Sequence, residues 1–419
     1  MRGVIGMALL LALSWACGRV WGERGVRVPW RVVLSGLVLQ LALALLLLKL
    51  PGTATAFLVL NRGVDALQAA SDAGTSMVFG YLGGAPAPFD IKFPQNGFIL
   101  AFRALPLVLV ISALSTLLFY WGVLQRVVGA IAFVLTRVMG LGGALGLGAA
   151  THIFLGMIEA PLLVRPYLAA MGRGELFALM TVGMAGIAGT MMAIYAAILG
   201  PVLPGALGQI IAASIISTPA GLAVAALMLP FEPAKSDGPP PRLDTGTPVH
   251  SAMEAVLRGT GDGIVMLVNI AALLVVMVAL VSLINAGLSL LPAPVGGPTP
   301  SLQVWLAYLL RPVVWLMGVP ADQVGAASLL LATKTVLNEF VAYLDLAHLP
   351  TGTLDARSVR IMTYALCGFA NVGSVGILVG GVSSLVPERR AEVATLGLRT
   401  LFSGTIATCL SGALVGMLT

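Results

Sequence analysis

The sequence predicts an all-α integral membrane protein with eight transmembrane helices, two re-entrant helical hairpins and several interfacial helices. Three observations lead there. Of the 419 residues 58% are hydrophobic and only 10% charged, with a mean hydropathy of +1.01. Soluble domains carry roughly a quarter charged residues, so lipid must be the solvent. Apolar runs of about 20 residues, enough to cross a bilayer, recur along the chain. Finally, two pairs of segments repeat one plan: a carboxylate set in an apolar segment, followed by an apolar segment interrupted by glycine.

The spanning runs are Val4 to Trp21, Val32 to Leu50, Phe98 to Leu124, Leu176 to Leu199, Leu207 to Leu229, Ile264 to Leu291, Val359 to Val382 and Val393 to Leu418. Arg2 and the run ending at Ala16 and Cys17 could pass for a signal peptide, but the run continues past Arg19 to Trp21 and is expected to be a first membrane helix. Three pieces are amphipathic or broken: Ala54 to Tyr81, Arg126 to Met139, and Ser301 to Met317 with Trp305, Tyr308, Arg311 and Trp315. Aromatic and arginine residues of this kind anchor helices lying in the interface. Leu145 to Leu168 and Val324 to Leu346 hold Pro, Gly or charge near their middles, so they are poor single spans and are expected to be hairpins.

Positive residues set the orientation. Arg19, Arg24, Arg27 and Arg31 follow the first span, Arg126, Arg137 and Arg173 the third, Lys235, Arg242 and Arg258 the fifth, and Arg389 with Arg390 the seventh. These alternate loops belong on the cytoplasmic side, which leaves both termini non-cytoplasmic; Lys92, Arg357 and Arg360 fall on the other side. The soluble-looking stretch from Phe231 to His250 carries a proline run and is a solvated linker. A net charge of +6, borne by arginines beside apolar runs, fits lipid headgroups and excludes nucleic acid as a partner. Cys17, Cys367 and Cys409 lack the spacing of a disulfide framework or zinc site, and His152, His250 and His348 lack metal-ligand spacing.

The chemistry concentrates in the paired segments. In the second pair Glu339 stands beside Asn338, and the following segment is interrupted from Cys367 to Ser374; in the first, Glu159 precedes a segment with Gly183, Gly186 and Gly189. An ionisable group or unwound backbone persists in a bilayer only where it faces protein or a water-filled cavity, so each pair marks a binding site, and the doubling implies a pseudo-symmetric transporter. A membrane enzyme using the two glutamates as acid and base is the reading from another class. Gly259, Thr260, Gly261 and Asp262 resemble the GxGD of intramembrane aspartyl proteases, but no second Asp has a matching context. An Asp at a helix N-terminus accounts for the motif.

Five runs carry a more specific resemblance: Glu159 to Tyr167 (EAPLLVRPY), Glu175 to Ala178 (ELFA), Ala213 to Ala220 (ASIISTPA), Lys334 to Tyr343 (KTVLNEFVAY) and Tyr364 to Asn371 (YALCGFAN). They resemble concentrative nucleoside transporters, and the last two are long and specific. The resemblance implies a homotrimer in a bacterial inner membrane, importing nucleosides on a cation gradient, with an elevator-like inverted-repeat transport domain moving against a scaffold domain. It divides the chain into scaffold helices and an interfacial helix (1–124), a first repeat (125–230), the linker (231–250), a sixth, scaffold helix (251–292) and a second repeat (301–419).

By the same resemblance Glu339, Asn371 and Ser374 stand at ribose-contacting positions, with Asn338, Phe369 and Gly156 around the substrate. A carboxylate accepts from vicinal hydroxyls and an amide complements it. Glu339 could instead pair with Lys334, Asn371 and Ser374 could simply cap a broken helix, and Glu159 could be a hairpin-tip carboxylate accepting backbone N–H groups. Glu159 stands where the family contacts the base or the coupling region. Just before it, Met157 and Ile158 replace the polar pair usual in the family, and neither can hydrogen-bond a base edge, which opens the alternative of a non-nucleoside or modified substrate. The positions of the sodium cage are here His152, Leu155, Gly186 and Ile187. Losing Asn and Ser oxygen ligands argues against sodium, and His152 or Glu159 then becomes a proton carrier, unless His152 is a neutral filler. Co-transported H+ is thus expected over Na+, and no cofactor.

Overall fold

The computed structural model describes residues 2–21, 27–50, 52–90, 99–231, 249–292 and 299–419. The expectations placed on Glu23, Arg24, Lys92, Lys235, Arg242 and most of the linker lie outside these residues. The N-terminal part comprises α1 (Arg2–Val20), α2 (Trp30–Lys49), α3 (Thr53–Phe79), α4 (Leu100–Arg103) and α5 (Leu107–Tyr120). It is followed by α6 (Val123–Met139), a hairpin of α7 (Gly143–Thr151), α8 (Glu159–Leu163) and α9 (Arg165–Leu168), the broken pair α10 (Arg173–Ala185) and α11 (Gly189–Leu199), and α12 (Ala206–Met228). The 37-residue α13 (Ala252–Leu288) leads to α14 (Leu302–Leu316), a second hairpin of α15 (Val324–Val336) and α16 (Glu339–His348), the broken pair α17 (Ala356–Leu366) and α18 (Val372–Leu385), and α19 (Arg390–Leu418). Amphipathic helix, hairpin, broken helix and long helix thus occur twice in the same order.

Seven of the eight expected spans fall on helical stretches long and apolar enough to cross a membrane: Arg2–Val20, Trp30–Lys49, Leu100–Tyr120, Arg173–Leu199, Ala206–Met228, Ala252–Leu288 and Pro387–Leu418. The eighth, 359–382, is present as α17 and α18, two short helices parted at 367–371. Asn371 is the physical reason, because its side chain accepts the Ser374 N–H and starts α18 afresh instead of letting α17 run on. The expected interfacial pieces are the 27-residue α3, α6 and α14; at α14, the Arg2 guanidinium lies 5.1 Å from the Trp315 ring centre.

Burial separates the helices into two kinds. In its most apolar stretch α12 buries 89% of its residues and α13 only 6%. A helix apolar all round and bare on most of its faces needs lipid or another subunit around it. α13 does pack on α5, where Gly259 and Gly263 let the backbones approach: a Cβ on Gly259 would lie 2.7 Å from Ala113 Cα. Of the protease-like motif, Gly259 packs on α5 whereas a Cβ on Gly261 would meet open space. Asp262, expected at a helix N-terminus, lies ten residues inside α13, because the Ser251 side chain caps the helix at the Glu254 N–H well before the motif.

The two repeats interlock at their breaks. The Phe369 N–H donates to the Gly186 carbonyl at 3.1 Å, and a Cβ on Gly368 would come within 2.9 Å of the Met184 carbonyl oxygen, so 186–188 and 367–371 cross in contact. Side chains continue the seam, with Thr181 and Ser403 sharing a 2.7 Å bond, Ser217 and Ser411 one of 2.9 Å, and the Tyr364 hydroxyl donating to Gln209 Oε1 at 2.9 Å. In a bilayer such groups have no water to turn to, and each repeat supplies the partner that the other lacks.

Candidate functional site

The second hairpin turns at Leu337 and Asn338, where extended backbone at Asn338 (φ −168°, ψ 172°) ends α15 and its side chain caps α16 by accepting the Val341 N–H. That cap fixes Glu339 as the first residue of α16, and Glu339 is 5% exposed. The Tyr195 hydroxyl donates to Glu339 Oε1 at 2.7 Å, and Asn371 Nδ2 donates to Oε2 at 3.1 Å. The other end of the Asn371 amide accepts the Ser374 N–H at 2.7 Å. One amide therefore both restarts the broken helix and holds the carboxylate. Ser374 is 6% exposed beside it. A carboxylate has about four acceptor positions; the two side-chain donors and the Glu339 N–H, toward which the carboxylate folds back, occupy three, so the centre keeps room for a further O–H donor.

Lys334 does not spend its charge on Glu339. Fully buried, its Nζ donates to the Ala365 carbonyl at 2.8 Å and to Thr408 Oγ1 at 3.0 Å. It ties the hairpin to the last turn of α17 and to α19. Tyr343 donates to the Thr363 carbonyl at 2.8 Å, and the Tyr195 ring packs on the Tyr343 ring with centres 4.9 Å apart.

The first hairpin is built differently. Its loop is pinned to α11 by the Gly189 N–H, which donates to the Phe154 carbonyl at 2.8 Å. This brings His152 and Leu155 to the break at Gly186 and Ile187. The His152 ring lies over Gly183, where a Cβ would be 2.9 Å from Cε1. Although His152 is 3% exposed, its Nε2 and the nearby buried Ser214 Oγ have no hydrogen-bond partner among the described residues. A Cβ on Gly186 would lie 3.5 Å from both the His152 carbonyl oxygen and Ser214 Oγ. Of the four residues singled out for cation coupling, His152 and Gly186 thus lie together at the break, beside Ser214.

Glu159 begins α8 and is half-buried, its carboxylate folded back toward the N–H groups of Ile158 and Glu159. Gly156 makes room for it, since a Cβ there would collide with Glu159 Oε2. Met157 is turned inward at 6% exposure while Ile158, 37% exposed, rests on Gly381 of α18, where a Cβ would be 2.8 Å from Ile158 Cγ1. Asn371, at the head of α18, holds Glu339, so about 15 Å of that helix separates the levels of the two hairpin tips. Glu159 and Glu339 share no hydrogen-bond partner among the described residues. Among those residues no three His, Cys, Asp or Glu side chains gather to hold a metal ion.

Sequence reasoning missed Tyr195 and Ser214, and it weighed Lys334 only as a partner for Glu339. The available signal for Tyr195 was a lone phenol in the apolar run Met191 to Leu199; nothing in one dimension says that it reaches a carboxylate 144 residues away.

Two broken helices crossing beside a buried carboxylate, inside an apolar bundle, define a membrane transporter rather than an enzyme. Family models described as Na+ dependent nucleoside transporter C-terminus and N-terminus match residues 209–416 and 5–82, and one described as Nucleoside recognition matches 101–202. With an uncharacterized transporter of Haemophilus influenzae the chain is 34% identical over 100% of its own length and 97% of that protein. The chain belongs to the concentrative nucleoside transporter family. It is 35% identical to the putative nucleoside permease NupX of Escherichia coli, over 99% of this chain and 98% of that one, and 32% identical to the nucleoside permease NupC of Helicobacter pylori, over 99% and 96%. The solved structure of CNTnw in an inward-facing substrate-bound state superposes with a TM-score of 0.87 at 31% identity, covering 100% of this chain and 97% of that chain.

Proposed function

We propose that this protein imports nucleosides by secondary active transport coupled to a cation gradient. The observation that carries this reading is the Glu339 carboxylate, buried, held by Tyr195 and Asn371, and left with acceptor capacity for a ribose hydroxyl. The nucleoside permeases among its relatives support the substrate class. The two hairpins dip into the bilayer and return to the side they entered from, carried with the broken helices as one body past α1–α5 and α13. Three copies meet through the bare apolar flank of α13, with both chain termini outside the cytoplasm of a bacterial inner membrane.

Protons drive the cycle in preference to sodium. A sodium ion needs several oxygen ligands, and the pocket at the break offers an imidazole where an amide oxygen is expected and a bare Gly186 where a hydroxyl is expected. His152, buried beside Ser214 with an unused nitrogen, is the group that accepts the proton, with Glu159 as the second candidate. A second reading is favoured by Met157 and Ile158: the same machine accepts a modified or non-nucleoside substrate, because neither side chain discriminates base edges.

Purified protein in liposomes tests both. Accumulation of labelled uridine or adenosine under an imposed proton gradient, unchanged when sodium is replaced by choline, is the expected result. Uptake that requires sodium and ignores pH overturns the coupling assignment. Counterflow driven only by a non-nucleoside establishes the second reading in place of the first.

A further inference from the structure

A cleft separates the N-terminal helices from the two helices that carry Tyr195 and Glu339. One wall is polar, formed by Gln68 and Asp72 of α3 with Arg103 at the end of α4; the other is apolar, formed by Ile194 and Ile198 of α11 and Leu344 of α16. The volume of this open cleft is about 400 Å³, within the range of small-molecule sites. A neighbouring hollow of about 340 Å³ shares Gln68 and is bordered by Asp65. Asp65, Gln68 and Asp72 are three and seven residues apart, so one face of α3 presents them together.

This cleft is the back of the Glu339 centre. Ile194 and Ile198 flank Tyr195 on α11, and Leu344 follows Glu339 on α16, whose last residue, His348, also borders the cleft. From Glu339 to His348 the helix rises about 13 Å. The Glu339 centre itself is closed, with Glu339, Asn371 and Ser374 all at 6% exposure or less, while Gln68 is exposed. A solute reaching Glu339 along these helices meets the cleft first. A nucleoside matches its two walls: a flat base for the isoleucine and leucine side, and a hydroxyl-bearing sugar for the carboxylate and amide side.

We propose that the cleft is an outer binding site for the transported nucleoside, which docks between α3 and α11 before reaching Glu339. The proposal rests on the nucleoside reading above and on the face turned away from the cytoplasm. It assigns part of substrate selection to Asp72 and Gln68, outside the hairpins altogether, in a chain whose Met157 and Ile158 cannot read a base.

The experiment uses the full chain with Cys17→Ala, which leaves Cys367 and Cys409, both buried. Gln68→Cys is then labelled with a maleimide, with and without uridine, in this background and again with Glu339→Gln added. The expected result is slower labelling in uridine in both proteins, and uptake reduced at least tenfold once the adduct is formed. Protection that vanishes with Glu339→Gln overturns the outer site, since the effect then travels from the inner one. In parallel, Asp72→Asn is expected to lower kcat/KM for uridine about tenfold with the saturated rate within twofold, and Asp72→Glu to restore it. A changed ion dependence with unchanged KM overturns the proposal by giving the cleft to the cation. Wild-type protein that moves no uridine sinks the outer site together with the nucleoside reading. Wild-type uptake with indifferent cleft variants sinks the outer site alone.

Discussion

The two hairpins occupy equivalent places in a repeated order of elements, yet only one has its polar groups satisfied. In the second, Glu339 has two donors, Asn338 and Asn371 each cap a helix, and Lys334 reaches a carbonyl and a hydroxyl. In the first, His152 Nε2 and the neighbouring Ser214 Oγ are left over, and the residues before Glu159 are Met and Ile. A buried polar atom without a partner costs about 1–3 kcal/mol, and at the first hairpin two such atoms lie near the break at Gly186. The second hairpin is preorganised; the first keeps an imidazole nitrogen with no partner among the described residues, which is where the proposed coupling would act.

The strongest way to break this comparison is Glu339→Gln. The amide keeps the shape but removes the charge that two donors address, and charged hydrogen bonds are worth about 1.5–3 kcal/mol each, so uridine uptake into proteoliposomes should fall about 100-fold or more with normal expression. Undiminished uptake would remove Glu339 from the site. Next is Lys334→Met, which strips the Ala365 carbonyl and Thr408 of their donor. Thermal unfolding in detergent should show a loss of about 1–3 kcal/mol, whether or not substrate is present. Tyr195→Phe deletes one donor to Glu339 while leaving the ring on Tyr343, so KM for uridine should rise about tenfold with stability nearly unchanged.

Sharpening the comparison means rebuilding the first hairpin. His152→Asn combined with Gly186→Ser restores oxygen ligands, and sodium dependence of uptake should then appear or rise relative to the parent protein; continued indifference to sodium would show that the break at Gly186 is not the ionic site. The smallest effect is expected from Met157→Gln with Ile158→Thr. A polar pair that can bond a base edge should widen the uptake ratio between uridine and an analogue lacking those edge groups by about tenfold. No change in that ratio would mean that the tip does not face the base.

Most of the architecture was legible because lipid demands long apolar runs, and each of the seven long helical stretches could be found by length alone. The eighth was legible as a span interrupted between Cys367 and Ser374; what the sequence left open is whether the Asn371 side chain caps α18 or holds a neighbour, which is a matter of its partners. Glu339, Asn371 and Ser374 could be picked out as polar residues in an apolar setting. Tyr195 could not, because an isolated tyrosine in a membrane helix is as common at an interface as at a site. The pairing of Glu339 with Lys334 was the alternative that the sequence left open, disfavoured by a spacing that does not align the two on one helical face. The turn at Asn338 indeed aims the two side chains at different neighbours.

The seam between repeats has a consequence for how the protein is made. Thr181, Tyr195 and Ser217 leave the ribosome more than a hundred residues before Ser403, Glu339 and Ser411. The nascent first repeat must therefore hold hydroxyls in the bilayer without their final partners until synthesis is nearly finished. Truncation anywhere before α19 should leave an inserted but protease-sensitive chain, recognisable to quality-control machinery by those waiting groups.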